Sequence, residues 1–147
     1  MIVITDSNII ISALIKPTGT IAKIFKSKSQ IQFFAPDFLL EEIQNNIDII
    51  EINSSLSKNK NGIKNELDFL ISKIRFIPID KIPKKYIKEA FEIVKEIDID
   101  DTFFVALNRY KHWKIWTGDI VLVKGLKSKG FDICVSTADV RKSLYVK

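Results

Sequence analysis

One cysteine and one histidine are all that this chain of 147 residues offers to thiol or imidazole chemistry. The lone Cys134 excludes an internal disulfide and is consistent with a reducing compartment. It lies in the strand-like run Phe131-Asp132-Ile133-Cys134-Val135, where a cysteine reads most simply as a small core residue. No Cys/His set exists to hold zinc. His112 stands among Lys111, Trp113 and Lys114 and reads as a surface residue rather than a ligand or a base. Five Gly and four Pro leave little room for long flexible linkers. No apolar stretch reaches the roughly 18 residues that a membrane span needs. The opening Met1-Ile2-Val3-Ile4-Thr5-Asp6 carries neither a basic leader nor a cleavage site. A cytoplasmic protein with no membrane partner is expected.

What the chain does have is apolar mass. A hydrophobic share of 46% is enough for a real core and too high for a disordered chain. The length is that of one ordinary domain, so a single domain over residues 1–147 is expected. Lys and Arg number 23 against 18 Asp and Glu, a net charge of +5. The bias is mild, and Lys-rich surfaces also simply keep proteins soluble. It gains meaning because the candidate site described below is acidic. An acidic site on a basic surface suits a polyanion held outside and cut at a metal inside.

Strand-like and helix-like segments alternate along the chain. Ile2–Thr5 is a short β-branched run that reads as a buried strand. The turn-prone Asp6-Ser7-Asn8 separates it from a short helix at 8–15, and Pro17-Thr18-Gly19 separates that from a second helix, Thr20–Lys26. A strand at 31–35 leads into Pro36-Asp37, a helix start, with Phe38, Leu39, Ile43, Ile47 and Ile50 at helical spacing. Residues 51–65 are polar and read as a solvated loop or frayed helix start. Helical spacing returns at 66–74. A strand at 76–79 contains Pro78, which suggests an edge position. Helices follow at 83–97 and 102–110, the second apolar nearly all round and therefore central. A strand at 114–117, a helix at 120–127, a strand at 133–135 and a helix at 136–145 complete the chain. The alternation predicts an α/β protein, a three-layer α/β/α arrangement around a mostly parallel sheet of about five strands.

Four acids fall where such a sheet would gather them. Asp6 ends the first strand run, and Asp119 follows the strand that ends at Thr117. Glu42 and Asp101 stand near the starts of apolar helices. Each has a plainer explanation taken singly: Asp6, Asp101 and Asp119 could cap the helices that follow them, and Glu42 could face solvent. Taken together they are harder to dismiss. Residues distant in the chain converge at the carboxyl edge of a parallel sheet, where open α/β folds bind ligands. Clustered carboxylates need positive charge to stay ionised, and an oxygen-only set favours Mg²⁺ or Mn²⁺.

Four segments carry a family resemblance. Thr5-Asp6-Ser7-Asn8-Ile9-Ile10-Ile11-Ser12-Ala13-Leu14 resembles the opening motif of PIN domains. Ala35-Pro36-Asp37-Phe38-Leu39-Leu40-Glu41-Glu42-Ile43 resembles their second acidic motif, Asp98-Ile99-Asp100-Asp101-Thr102-Phe103-Phe104-Val105-Ala106-Leu107 the third, and Ile115-Trp116-Thr117-Gly118-Asp119 the fourth. Order and spacing agree over nearly the whole chain. The segment between Glu42 and Asp98 is where small family members vary most, and there the likeness says little. The resemblance implies the fold of a metal-dependent ribonuclease, and many small members of the family are toxins of toxin–antitoxin pairs. Carried over by motif, Asp6, Glu42, Asp101 and Asp119 would be the catalytic, metal-site acids, with Asp98 a supporting metal-site acid. Asn8 and Thr117 would orient the carboxylates. Glu41 adjoins Glu42, and Glu42 is preferred because it directly precedes Ile43. Asp98, Asp100 and Asp101 are crowded, and Asp101 is preferred because it opens a helix.

The chemistry implied is in-line attack on an RNA phosphodiester by water activated at one or two Mg²⁺ or Mn²⁺ ions, about 3.5–4 Å apart if two are present. No side-chain nucleophile is required, which fits the missing histidine base. Lys16, Lys23, Arg109 and Lys124 are candidates to hold the phosphate backbone. An antitoxin is an expected protein partner, and a homodimer is another, since small domains with apolar helices often pair. Two rivals stand beside the nuclease. One is the same fold with a silent site, acting as an RNA- or protein-binding module. The other is a phospho-acceptor receiver domain, which places two adjacent acids after its first strand, whereas here Asp6-Ser7-Asn8 supplies one.

Overall fold

The computed structural model describes residues 1–145. Its frame is a five-stranded sheet of β1 (Ile2–Thr5), β2 (Gln32–Pro36), β3 (Ile74–Ile77), β4 (Lys114–Trp116) and β5 (Cys134–Val135). The order across the sheet is β3-β2-β1-β4-β5, and every pairing is parallel. The expected "mostly parallel" sheet is thus parallel throughout the described residues. Parallel neighbours need crossover connections, and these are right-handed almost without exception. Strand order grows to one side of β1 through β2 and β3 and to the other through β4 and β5. The reversal therefore puts helices on both faces.

Burial explains why β1 and β4 hold the centre. Val3, Ile4, Ile115 and Trp116 are fully buried, as expected of strands covered on both faces. Trp116 anchors an aromatic cluster. Its ring lies 5.4 Å from Phe25 and 5.9 Å from Phe33, and Phe25 lies 4.6 Å from Phe33. The indole N–H of Trp116 donates to Thr137 Oγ1 at 3.1 Å, so the buried ring leaves no orphaned donor.

Helix α1 (Ser7–Ile15) follows β1, and α2 (Thr20–Lys26) lies beyond the Pro17 break. The continuous helix expected from 37 to 50 is instead two helices, α3 (Phe38–Asn45) and α4 (Ile47–Asn53). The break falls at Asn46, whose side chain donates to Glu42 O at 2.8 Å and whose backbone leaves helical angles (φ −107°, ψ 10°). Residues 51–65 are more ordered than their polarity suggested. Ser55–Lys58 forms a 3-10 turn and α5 (Gly62–Ser72) starts four residues earlier than the apolar pattern. Asn61 enters α5 in the left-handed region (φ 62°), and a Cβ on Gly62 would lie 2.5 Å from Leu56 O. Only glycine admits that approach. Strand β3 lies two residues before the expected 76–79, at the edge of the sheet, with Pro78 just beyond it.

Helices α6 (Lys84–Val94) and α7 (Thr102–Lys111) form an antiparallel pair joined through a 3-10 turn, Ile99–Asp101. Helix α7 is central as its composition predicted, with Phe104, Val105, Ala106 and Leu107 fully buried. His112 ends it in the left-handed region (φ 63°) and is exposed, a surface position. Helix α8 (Ile120–Ser128) follows β4, and α9 (Thr137–Ser143) opens with a Ser136–Asp139 capping box. Among the described residues no single helix is long and apolar enough to cross a membrane.

Candidate active site

The strand order reverses between β1 and β4, so a crevice opens between their carboxyl ends. Asp6 is the first residue past β1. Its backbone N–H donates to Trp116 O at 3.0 Å, which extends the ladder by one rung and sets the side chain in that crevice. Asp6 is buried but does not cap α1, because one carboxylate oxygen is taken by Thr117 instead. Thr117 Oγ1 donates to Asp6 Oδ2 at 2.6 Å across 111 positions of sequence. The same hydroxyl accepts from Asn8 Nδ2 at 3.2 Å and from the Asp119 backbone N–H at 3.0 Å. One donor and two lone pairs are a hydroxyl's whole capacity. Asn8 Oδ1 also accepts from Gly118 N–H at 3.4 Å, which ties the loop after β4 to the start of α1.

The other acids reach this crevice from helices. Glu42 is half-buried on α3, and its Oε1 accepts from Ser7 Oγ at 3.0 Å; Glu41 is exposed. Asp101 is buried at the start of α7 and makes no side-chain cap. Asp119 caps α8 by accepting from Leu122 N–H at 3.1 Å, so its plainer role and its place beside Asp6 coexist. Asp98 is exposed and holds the turn by accepting from Asp100 N–H at 2.9 Å.

The electrostatics show how close these groups stand. Burial pushes the Asp6 carboxyl from 3.8 up to about 6; hydrogen bonds from Thr117 and Ser7 oppose the shift and the Asp119 charge adds to it. Burial raises Glu42 to about 7, against the Ser7 bond and with the charges of Asp6, Asp100 and Asp98. Asp101 rises furthest, to about 8, through burial and then through Asp6, Asp98, Asp119 and Glu42. The structure therefore brings Asp6, Glu42, Asp98, Asp101 and Asp119 into one electrostatic neighbourhood, and Asp100 acts on Glu42 ahead of Asp98. Among the described residues no three His, Cys, Asp or Glu side chains are already gathered tightly enough to hold an ion between them. Like charges in a low-dielectric crevice oppose such closure.

The donor chemistry fits a hard divalent cation. The set is oxygen-only, and Asp101 Oδ2 is buried with no hydrogen-bond partner. A buried carboxylate oxygen left unpaired costs more than most such groups unless a cation or proton meets it. Asp6, Glu42, Asp101 and Asp119 are the residues that could hold it.

The family model for the PIN domain matches residues 4–141. The chain belongs to the PIN domain family. Among solved structures this PIN domain is similar to VapBC2 from Rickettsia felis, bound to a DNA fragment from their promoter. The TM-score is 0.63 at 17% identity, over 92% of this chain and 97% of that one, a likeness of fold. No curated protein matches the sequence. PIN domains are generally nucleases, which agrees in kind with an acid-lined crevice at the switch point.

Two features of the site differ from the sequence reading. Ser7 was not anticipated; it adjoins Asp6 in the first turn of α1, but its partner Glu42 lies 35 positions away and nothing local announces it. Two of the basic candidates, Arg109 and Lys16, stand at the far ends of their helices from the acids. Arg109 donates to Glu89 at 2.7 Å and stacks over Phe131 at 5.1 Å. It lies about 12 Å down α7 from Asp101 at 1.5 Å per residue. Lys16 ends α1, about 15 Å along the helix from Asp6 by the same rise. Helices that begin at the carboxyl edge carry their last turns to the opposite edge.

Proposed function

We propose that this PIN domain is a Mg²⁺- or Mn²⁺-dependent endoribonuclease that hydrolyses RNA phosphodiester bonds, and that it acts in the cytoplasm as the toxin of a toxin–antitoxin pair. One observation carries the reading: at the sheet's switch point an Asp101 oxygen is buried without a partner, and the charges of Asp6, Glu42 and Asp119 act on its carboxyl. Asp6, Glu42, Asp101 and Asp119 would hold the metal, and Asp98 would support the set. The metal would lower the pKa of an attacking water and offset charge building on the phosphate. The chain's own part is preorganisation. Thr117 fixes the Asp6 carboxylate, Asn8 fixes Thr117, and Ser7 fixes Glu42, so these side chains are oriented before an ion draws the acids together. Water attacks the phosphorus in line and gives up its proton to solvent, the P–O bond opposite breaks, and the leaving oxygen takes a proton from solvent, there being no histidine near the crevice.

The test is cleavage of single-stranded RNA with Mg²⁺, Mn²⁺ or EDTA, for the parent and for Asp6→Asn and Asp119→Asn. Cleavage that persists unchanged in both variants rejects the mechanism. The open spacing of the acids favours a second reading, a silent module that binds RNA or protein. Titration with Mn²⁺ separates the two, since the module need not take it up. Likeness to VapBC2 supports an antitoxin partner, and growth arrest on expression, relieved by the product of a neighbouring gene, would be its signature. A homodimer is proposed as well, with light scattering as the measurement.

A further inference from the structure

The 98–101 turn supplies two of the acids, yet its own hydrogen bonds are local. Asp98 N–H reaches Val94 O at 2.9 Å, Asp101 N–H reaches Asp98 O at 3.1 Å, and Thr102 Oγ1 reaches Ile99 O at 2.6 Å. Its position relative to Asp119 must come from packing. Helix α8, capped by Asp119, and the residue after it meet α6 and the turn beyond it at two points. Lys129 Nζ donates to Ile93 O at 2.7 Å. One turn nearer the site, Gly125 faces Ile97. A Cβ on Gly125 would lie 2.7 Å from Ile97 Cδ1, 2.9 Å from Cγ1 and 3.2 Å from Cγ2. Ile93 lies in the last turn of α6 and Ile97 in the turn just beyond it, while Gly125 lies on α8 and Lys129 just past its end, so the two contacts join the same pair of segments running in opposite directions. Beyond Ile97 the chain runs directly into the 98–101 turn, and ahead of Gly125 α8 opens at its cap, Asp119.

We propose that Gly125, Ile97 and Lys129 form a positioning clamp that sets the separation between Asp119 and the 98–101 turn, and so the geometry of the cation site. The inference rests on the metal-binding reading above. Glycine in mid-helix costs roughly 0.5–1 kcal/mol relative to alanine, so its presence at the contact asks for a reason. The reason is closeness. Ile97 is β-branched and stiff at χ1, so moving Cδ1 alone does not relieve Cγ1 and Cγ2, and an added methyl must push α8 away from the turn.

The test is Mn²⁺ uptake followed by calorimetry, with thermal melts of the metal-free protein alongside. Gly125→Ala should still fold, because helix propensity offsets part of the crowding, while Mn²⁺ affinity falls about tenfold or more, as for other residues that orient ligands. The double variant Gly125→Ala/Ile97→Ala removes all three crowded carbons and should regain most of that affinity. Should Gly125→Ala fail to fold, Lys129→Met decides: it keeps the stem, loses the bond to Ile93 O, and should bind Mn²⁺ severalfold more weakly. Parent-like affinity in the variant that decides, or no recovery in the double variant, overturns the clamp alone. Failure of the parent chain to take up Mn²⁺ overturns the nuclease reading and the clamp with it.

Discussion

The two halves of the acidic crevice are built in different ways. On one side, the β1–β4 edge holds Asp6 with a backbone rung to Trp116 and a hydroxyl whose every hydrogen-bonding capacity is used. On the other, the 98–101 turn is stitched only to its own neighbours, with Asp98 and Asp100 exposed and an Asp101 oxygen buried without a partner. The carboxyl shifts follow the same division. Asp6, given hydrogen bonds, rises to about 6, whereas Asp101, given none, rises to about 8. Compensation by hydrogen bonds lowers a buried acid, and its absence leaves the acid dependent on a cation or a proton. One half is finished by the protein; the other is finished by what binds.

The strongest way to break this contrast is to remove an acid from each half. Asp6→Asn and Asp101→Asn should each lower metal-dependent RNA cleavage by at least ~100-fold, since even residues that merely orient ligands cost about 10–100-fold. A variant retaining cleavage would show that its half is dispensable. The next effect tests the finished half. Thr117→Val leaves Asp6 Oδ2, Asn8 Nδ2 and the Asp119 N–H short of a partner, and should cost about 1–3 kcal/mol in denaturant unfolding as well as metal affinity. Ser7→Ala removes one bond to a half-buried acid and should cost less on both measures.

Metal-free stability against pH sharpens the contrast further. Asp6, Glu42 and Asp101 have folded values of about 6, 7 and 8, above ordinary values of 3.8, 4.5 and 3.8. The folded protein therefore holds protons that the unfolded chain gives up, and stability falls as pH rises through the window from about 4 to about 8. The slope is at most about 1.4 kcal/mol per pH unit for each acid so shifted. Melting temperatures of the metal-free protein should decline across that window, and Mn²⁺ should reverse the decline at its upper end. Asp101→Asn should flatten the slope more than Asp6→Asn does. A flat profile in the parent would contradict the burial of these carboxyls. The smallest effect is expected outside both halves: Arg109→Gln loses its bond to Glu89 and should leave cleavage within about twofold, since an exposed pair contributes little.

Some of this was written locally along the chain. The alternation of β-branched runs with amphipathic stretches announced a parallel α/β sheet, because strand and helix periods are set by residues a few positions apart. That Asp6 and Asp119 would follow strands, and so stand at the carboxyl edge, came from the same local pattern. Short-range patterns misled where a side chain turned back on its own backbone, as at Asn46, or where one glycine let a helix begin early, as at Gly62.

Other features exist only once the chain is folded. Which of three crowded acids is buried, that Ser7 reaches Glu42, that Arg109 faces Glu89 and not the crevice, and that Gly125 meets Ile97 are all matters of tertiary contact. Desolvation and Coulomb energies depend on distances between groups up to 111 positions apart. Neighbours in sequence decide what element a residue belongs to. The surroundings that elements create for one another decide what charge a residue can carry there.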